Sequence, residues 1–205
     1  EIFAANFRDR IVHHLFYNYT YALFDSTLIE DSYSCRIGKG TYYGIERLNH
    51  HIVSCSENYT KNTYVLKMDI KGYFIHINRL KLLEITTNTL NKLKTHKVPG
   101  RNDGKEWQDI LDFDFILYLN REIILTNPTI NCIFHSRKEC WNDLPKSKSL
   151  FYTDENCGLP IGNLTSQLLS NVYLNILDQY IKRVLKCKHY GRYVDDFYIV
   201  SQDKE

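Results

Sequence analysis

Two adjacent carboxylates, Asp195 and Asp196, lie between two short β-prone runs, 189–194 and 197–201. Side by side in an apolar hairpin, they repel each other and resist the loss of water unless a cation neutralises them. Hard oxygen ligands of this kind suit Mg²⁺ or Mn²⁺. An ordinary acidic surface turn has the same composition, so the pair by itself leaves both interpretations open.

A third carboxylate, Asp69, ends the run 64–69, in which residue types alternate. The alternation predicts a strand with Tyr64, Leu66 and Met68 in the core and Asp69 on the other face. A strand-end carboxylate beside a hairpin pair would put three carboxylates on one sheet face. That arrangement suits a two-cation site for phosphoryl or nucleotidyl transfer. The long separation between Asp69 and Asp195 allows many folds, so spacing alone does not establish the site.

Helices and one small sheet must position these residues. Helical periodicity of apolar residues predicts helices at about 4–20, 41–54, 79–95, 106–126 and 164–186, with mostly loop at 127–156. This order is typical of an α+β domain, in which a small antiparallel sheet is backed by helices on one face and open to substrate on the other. The last helix carries an apolar stripe that we expect in the core: Leu164, Leu168, Val172, Ile176, Leu177, Ile181, Val184 and Leu185.

Composition sets limits on location and partners. The 205 residues carry a net charge of +2, so a nucleic-acid partner does not follow from the total charge. The six cysteines form no C-x-x-C pair, and no signal peptide or membrane-length apolar run is visible. These features predict reduced thiols, a cytoplasmic location and no membrane partner. Because the chain opens at Glu1 in helix-like sequence, we expect a fragment of a longer protein.

Two basic clusters could neutralise the phosphates of a nucleic acid. A solvated helix end explains the first cluster equally well, since cations are favoured at a helix C-terminus. The first cluster is Lys182, Arg183, Lys186, Lys188, His189 and Arg192, and the second is Lys92, Lys94, Lys97, Arg101 and Lys105.

The residues that follow Asp69 sharpen the catalytic interpretation. A glycine, Gly72, and two aromatic rings, Tyr73 and Phe74, come directly after Ile70 and Lys71. Gly72 permits close approach of the backbone, and a ring at Phe74 could press on a nucleotide sugar and exclude a 2′-hydroxyl. Plain core packing is the alternative for both rings.

Four segments, in the family's order, resemble those of reverse transcriptases. Segment 69–74 is similar to the first catalytic-aspartate motif, and 193–197, Tyr-Val-Asp-Asp-Phe, to the Tyr-x-Asp-Asp motif. Segment 158–167 resembles the nucleotide-side motif before the long palm helix, and 32–41 a fingers motif that contacts template. The resemblance covers about 1–205. It implies a right-hand polymerase with partial fingers at 1–63 and a palm at 64–205 that carries an insertion at about 79–157, without a thumb.

The resemblance also implies an activity and a set of site residues. The activity is RNA-directed DNA polymerisation, the addition of dNTPs to a primer 3′-hydroxyl with two Mg²⁺ ions, for which Mn²⁺ can substitute. Asp69 and Asp195 would be the main metal ligands, the Ile70 carbonyl would assist, and Asp196 would support the second cation. The partners would be an RNA template, a DNA or RNA primer and dNTPs. Nucleotide contacts are expected at Ile70, Lys71, Gly72, Tyr73, Phe74, Ile161 and Gly162, and template contacts at Arg36, Lys39 and Gln167.

Two departures point to a subfamily. Ile161 stands where most reverse transcriptases have glutamine, and Ser166-Gln167 where many have Ser-Pro. Both resemble the enzymes of bacterial and phage diversity-generating retroelements, which copy a template-repeat RNA with errors opposite adenine and use an accessory protein. Replacing an amide by an aliphatic side chain removes a hydrogen bond to the incoming nucleotide, which would relax base selection. A neutral packing change is the alternative.

Two further interpretations stay open. A group II intron or retron reverse transcriptase is disfavoured by Ile161 and Gln167. A non-catalytic nucleic-acid-binding homologue is disfavoured because a retired site has no physical reason to keep three repelling carboxylates. The family's basic fingers hairpin and its thumb have no counterpart in this sequence, so weak or absent activity is expected of this polypeptide alone.

Overall fold

The computed structural model describes residues 1–130, 132–135, 137–141 and 143–204. In these ranges the chain is mixed α+β, with six α-helices and one three-stranded antiparallel sheet. The predicted α+β class is therefore confirmed, while its assignment to a polymerase palm stays a prediction. The elements are α1 Phe7–Asp25, α2 Thr41–Cys55, β1 Tyr64–Met68, α3 Tyr73–His76, α4 Arg79–Leu93, α5 Phe113–Leu125, α6 Leu164–Arg183, β2 His189–Tyr193 and β3 Asp196–Ser201.

The chain divides into two compact units. The first contains 1–26 and 72–173, and the second contains 27–71 and 174–205. The predicted division after residue 63 lies within the second unit and stays a prediction. None of the helices in the described ranges combines the length and the apolar character needed to cross a membrane.

The first unit is helical, with α4 packed on α5 and α1 in contact with both. Its helices begin where the sequence supplies a cap, because a side-chain oxygen there accepts from a free backbone amide. Asn78 accepts from the Lys81 amide at the start of α4, and Asp112 accepts from the Phe115 amide at the start of α5. The prediction of one helix over 106–126 is therefore wrong in its first part, where only a short 3₁₀ turn forms at Trp107–Asp109.

The second unit is built on the sheet, whose order is β1-β3-β2. Helix α2 packs on β2 and β3. Tyr190 and Arg192 of β2 both reach Asp178 of α6, whereas Gly191, which points to the opposite face, lies under the hydroxyls of Tyr33 and Tyr198. Both faces of β2 are thus covered, and the expected open sheet face is wrong for this strand.

Strand β1 is the exposed edge of the sheet. Tyr64 and Leu66 are 42% and 52% exposed, and Val65, on the opposite face, is 47% exposed. The prediction that Tyr64 and Leu66 lie in the core is therefore wrong. The reason is topological: in the described part of the chain β1 pairs with β3, while α2 packs on the other two strands.

The long helix α6 is shorter than predicted and its apolar stripe is only partly buried. It ends at Arg183, because Lys186 adopts a left-handed backbone and the Cys187 amide donates to the Ile181 carbonyl at 3.0 Å. Leu168, Val172 and Ile181 are buried as predicted. The core assignment is wrong for three exposed residues of the stripe: Ile176, Val184 and Leu185.

Candidate active site

The Asp195–Asp196 pair lies at a tight hairpin turn in the second unit. Strands β2 and β3 pair with Tyr193 opposite Asp196, so Val194 and Asp195 form the two-residue connection. Two-residue hairpin loops favour a positive φ at the first position, which is usually glycine. Val194 occupies it with φ 58°. A β-branched residue is strained in this backbone region, so the turn is held by its surroundings.

Asp69 reaches the same place from the neighbouring strand. Met68 of β1 pairs with Phe197 of β3. Because the strands are antiparallel, the next position along this register places Asp69 opposite Asp196. Burial raises the pKa of Asp195, and the negative charges of Asp69 and Asp196 raise it further. The structure therefore brings the three predicted carboxylates near enough for their charges to act on one another.

A basic residue that the sequence analysis did not assign to this site lies among the carboxylates. Lys67 Nζ is 3.4 Å from an oxygen of Asp196. Lys67 is two residues before Asp69, so both point to the same face of β1. The side chains of Lys67 and Asp196 are 74% and 47% exposed, so water screens this pair and its contribution to stability is small.

The donor set of the three aspartates suits a hard divalent cation such as Mg²⁺. Burial first, and then the charges of Asp69 and Asp196, raise the pKa of Asp195, and a bound cation would offset both effects. Across the described ranges, no group of three or more His, Cys, Asp or Glu side chains has a geometry that could hold a metal ion as it stands.

A buried ion pair between Arg192 and Asp178 supports the hairpin. Arg192 donates from Nε and Nη2 to the two carboxylate oxygens of Asp178 at 2.8 and 2.7 Å, and both side chains are fully buried. Arg192 Nη1 also donates to the Val194 carbonyl at 2.6 Å, and the Tyr190 hydroxyl donates to Asp178 at 2.5 Å. Arg192 is therefore a support of the turn. Its assignment to a phosphate-binding basic cluster is wrong, because its guanidinium is buried and forms an ion pair with Asp178.

A second polar network lies on the opposite face of the sheet. Asp31 accepts from Arg47 at 2.8 Å and from the Tyr33 hydroxyl at 3.1 Å, and Tyr33 in turn lies 2.7 Å from the Tyr198 hydroxyl. Burial works against the charge of Asp31, but the hydrogen bond from Arg47 and nearby positive charge outweigh it, so the Asp31 pKa is lowered. His51 Nδ1 is 3.1 Å from the Tyr198 hydroxyl, which closes the network.

The protonation of His51 follows from its neighbours. Arg47 can only donate, and its Nη2 lies 3.3 Å from His51 Nε2, so that nitrogen accepts and the proton lies on Nδ1. Burial lowers the His51 pKa to about 4 against the opposing pull of Asp31. His51 is thus a neutral link between α2 and the sheet. The sequence contained one signal of this network, a histidine next to an apolar helix face.

Predicted nucleotide contacts fall in both units. Ile70 and Lys71 follow β1 in the second unit, where Lys71 is exposed. Gly72 starts α3 in the first unit with φ 64°, a left-handed conformation that favours glycine. Tyr73 is buried and its hydroxyl donates to the Ser170 carbonyl at 2.7 Å, so core packing explains this ring. Phe74 is half-buried and keeps a surface for the sugar contact that its motif predicts.

Ile161 and Gly162 lie in the first unit, where they contact its N-terminal segment. The Phe3 amide donates to the Ile161 carbonyl at 2.7 Å, and a Cβ built on Gly162 would lie 2.9 Å from the Phe3 carbonyl oxygen. The Ile161 side chain is 48% exposed. It is therefore accessible to a ligand, and its role beside a base pair stays a prediction.

The predicted template residues differ in how they are used. Arg36 donates from Nη1 to the carbonyls of Ile29 and Ser32, which closes its own loop. Lys39 pairs with Glu30 at 3.0 Å. Gln167 is exposed on α6. Template contact at these positions stays a prediction, and Arg36 and Lys39 would first have to leave their present partners.

Comparison with known proteins adds no family assignment. No protein-family model matches the chain, and no curated protein matches it. The resemblance of the four motifs to reverse transcriptases therefore stays a prediction.

Proposed function

We propose that this chain is the catalytic part of an RNA-directed DNA polymerase that adds deoxynucleotides to a primer 3′-hydroxyl. The observation that carries the proposal is the arrangement of Asp69, Asp195 and Asp196 at the ends of paired strands, with a raised pKa at Asp195. Few structural roles require three repelling carboxylates in one place, whereas nucleotidyl transfer on divalent cations does.

The residues divide the work as follows. Asp69 and Asp195 present oxygens to cations, and Asp196, now paired with Lys67, supports the second. Such cations, when bound, lower the pKa of the attacking hydroxyl and neutralise the leaving phosphates. The buried Arg192–Asp178 pair fixes the turn, so the two carboxylates of the hairpin are oriented before substrate arrives.

Primer extension tests this proposal in the longest natural form of the protein, with an RNA template, dNTPs and Mg²⁺. Asp195→Asn keeps the size of the side chain and removes its charge, and we expect it to lower synthesis at least a thousandfold. Asp203→Asn, an exposed aspartate beyond β3, is the matched control and should leave synthesis unchanged. Equal synthesis by the wild type and Asp195→Asn would show that these carboxylates are not catalytic.

The retroelement subfamily is the finer part of the proposal. It is supported by the exposed Ile161 side chain, which offers no hydrogen bond to a nucleotide. We expect Ile161→Gln to reduce misincorporation opposite template adenine, because an amide restores a polar contact that depends on geometry. The control is Ile176→Gln, another exposed isoleucine. An unchanged adenine error rate in Ile161→Gln contradicts the proposed role.

A further inference from the structure

Arg79, the first residue of α4 in the first unit, is a buried arginine without an acidic partner among the residues that the structure describes. Arg79 is 7% exposed. In the described ranges, no carboxylate lies within 4.0 Å of its guanidinium. Nη1 donates to the carbonyls of Leu125 and Thr126 at 3.2 and 3.3 Å, and Nη2 donates to the Glu155 carbonyl. Within the described part of the chain, Nε has no hydrogen-bond partner. In these ranges, the groups that hold the positive charge of Arg79 are thus neutral carbonyls.

Arg192, a fully buried arginine of the second unit, gives an internal comparison. Arg192 uses its Nε and Nη2 edge to hold the carboxylate of Asp178 in a two-point pair. A guanidinium has five N–H donors and no acceptor, so three recorded bonds leave two donors of Arg79 unused, including Nε–H. A buried, unpaired charge is costly, and an anion on the unused edge would relieve that cost.

A cavity of about 100 Å³ lies beside Arg79. One water needs roughly 10–15 Å³ of such space, so a small polyatomic ion fits. Besides Arg79 the lining includes Asn127, Thr129, Thr153 and Gly158. A Cβ on Gly158 would come within 2.5 Å of Leu150, so this wall is closely packed. The cavity therefore combines a buried cation, hydroxyl and amide groups, and firm walls.

We propose that this cavity binds a small oxyanion, a phosphate or a carboxylate group, through the unused edge of Arg79. Both groups accept two hydrogen bonds in the fork geometry of a guanidinium. A cation is disfavoured by the charge of Arg79. Asp154 and Glu155 also line the cavity but are exposed residues, so their carboxylates weaken anion binding from the rim. This proposal does not rest on the polymerase proposal.

The Nε–Hε correlation of ¹⁵N-labelled arginine reports on the site directly. The Arg79 signal is identified by its loss in Arg79→Lys, and the protein is titrated with inorganic phosphate, with acetate, and with chloride at matched ionic strength. We expect a saturable shift of the Arg79 signal with phosphate or acetate, and none with chloride. The buried and paired Arg192 should not respond. No saturable shift, or an equal shift with chloride, which marks an adventitious ion only, overturns the proposal.

Two further variants keep the test decisive if Arg79→Lys does not fold. Asn127→Asp keeps the oxygen that accepts from Thr129 but replaces the amide donor of the lining by a negative charge, and should weaken oxyanion binding at least threefold. Glu155→Gln removes a rim charge but keeps the backbone carbonyl that holds Arg79, and should strengthen binding about threefold. Thr89→Val, on α4 but absent from the cavity lining, is the control. Unchanged dissociation constants in both test variants contradict the assignment.

Discussion

Arg192 donates from Nη1 to the carbonyl of Val194 at 2.6 Å, and this bond joins the buried core of the second unit to the turn that carries Asp195. The opposite edge of the same guanidinium is held by Asp178. One side chain thus links Asp178 of helix α6 to the acidic turn. The acidic hairpin is therefore a supported element, and its support can be tested separately from its chemistry.

Breaking the buried pair should cost much more stability than replacing it. Arg192→Met leaves the Asp178 carboxylate buried without a positive charge to pair with, and we expect the free energy of unfolding to fall by about 3–5 kcal/mol. Arg192→Met with Asp178→Leu should recover most of that loss, because no buried charge remains. Urea unfolding measures both, with the exposed Arg183→Met as control. If the double variant were as unstable as the single one, the loss in Arg192→Met would not come from the unpaired charge of Asp178.

Val194 stores backbone strain in the turn. Glycine adopts a φ of 58° without steric cost, so Val194→Gly should leave stability unchanged or raise it by about 1 kcal/mol, even though glycine adds freedom to the unfolded chain. Val65→Gly in β1, an exposed valine in extended backbone, should lose about 1 kcal/mol. Thermal unfolding of the two variants compares them. A loss of equal size in both would show that the turn is not strained.

His51 should make the second unit less stable in acid. Its pKa is lowered from 6.5 to about 4 in the folded chain, so between these pH values the unfolded chain binds more protons. The contribution of neutral His51 is therefore complete above about pH 6.5 and is lost as the pH falls towards 4. We expect His51→Gln to reduce the loss of stability between pH 7 and 5 by about 1–2 kcal/mol.

The exposed His96→Gln serves as the matched control for this pH dependence. Urea unfolding at pH 7 and pH 5 is the measurement. The Asp31 pKa is also lowered, so acid weakens that carboxylate's bonds as well, in the same direction and at lower pH. Equal pH slopes in the wild type and His51→Gln would exclude His51 as the titrating group.

Lys67 should compete with a divalent cation for Asp196. Lys67→Gln removes the positive charge 3.4 Å from the carboxylate, and we expect Mn²⁺ to bind about threefold more tightly, in keeping with the ~0.6 kcal/mol typical of an exposed pair. Lys61→Gln, which breaks a separate exposed pair with Glu57, is the control. Calorimetry at low ionic strength gives both constants. Weaker binding in Lys67→Gln would mean that this lysine helps to build the site.

The sequence predicted the local parts of this protein well, because local signals control them. The start of a helix at Arg79 and the strand around Leu66 were predicted, whereas the start of α5 after Asp112 was not. It also pointed to Asp69 as a neighbour of Asp195 and Asp196, but their separation in the sequence allows many folds, and the pairing of β1 with β3 was needed to bring them together.

Burial was predicted less well. Leu66 and Val184 are apolar residues in regular elements and are nevertheless exposed, because sheet order and the end of α6 decide which faces are covered. A periodic pattern shows that one face of a helix or strand is apolar, but it does not show which element packs against that face.

The sequence by itself determined that three carboxylates stand at the end of a strand and in a turn. It also determined the order of helices and strands that makes the domain α+β. Only the tertiary structure decided which groups the buried charges meet: Arg192 pairs with Asp178, whereas Arg79, among the residues described, donates to backbone carbonyls. The physical reason is that the fate of a charge depends on which groups meet it in space. Those partners lie far apart in sequence, where no local pattern reports them.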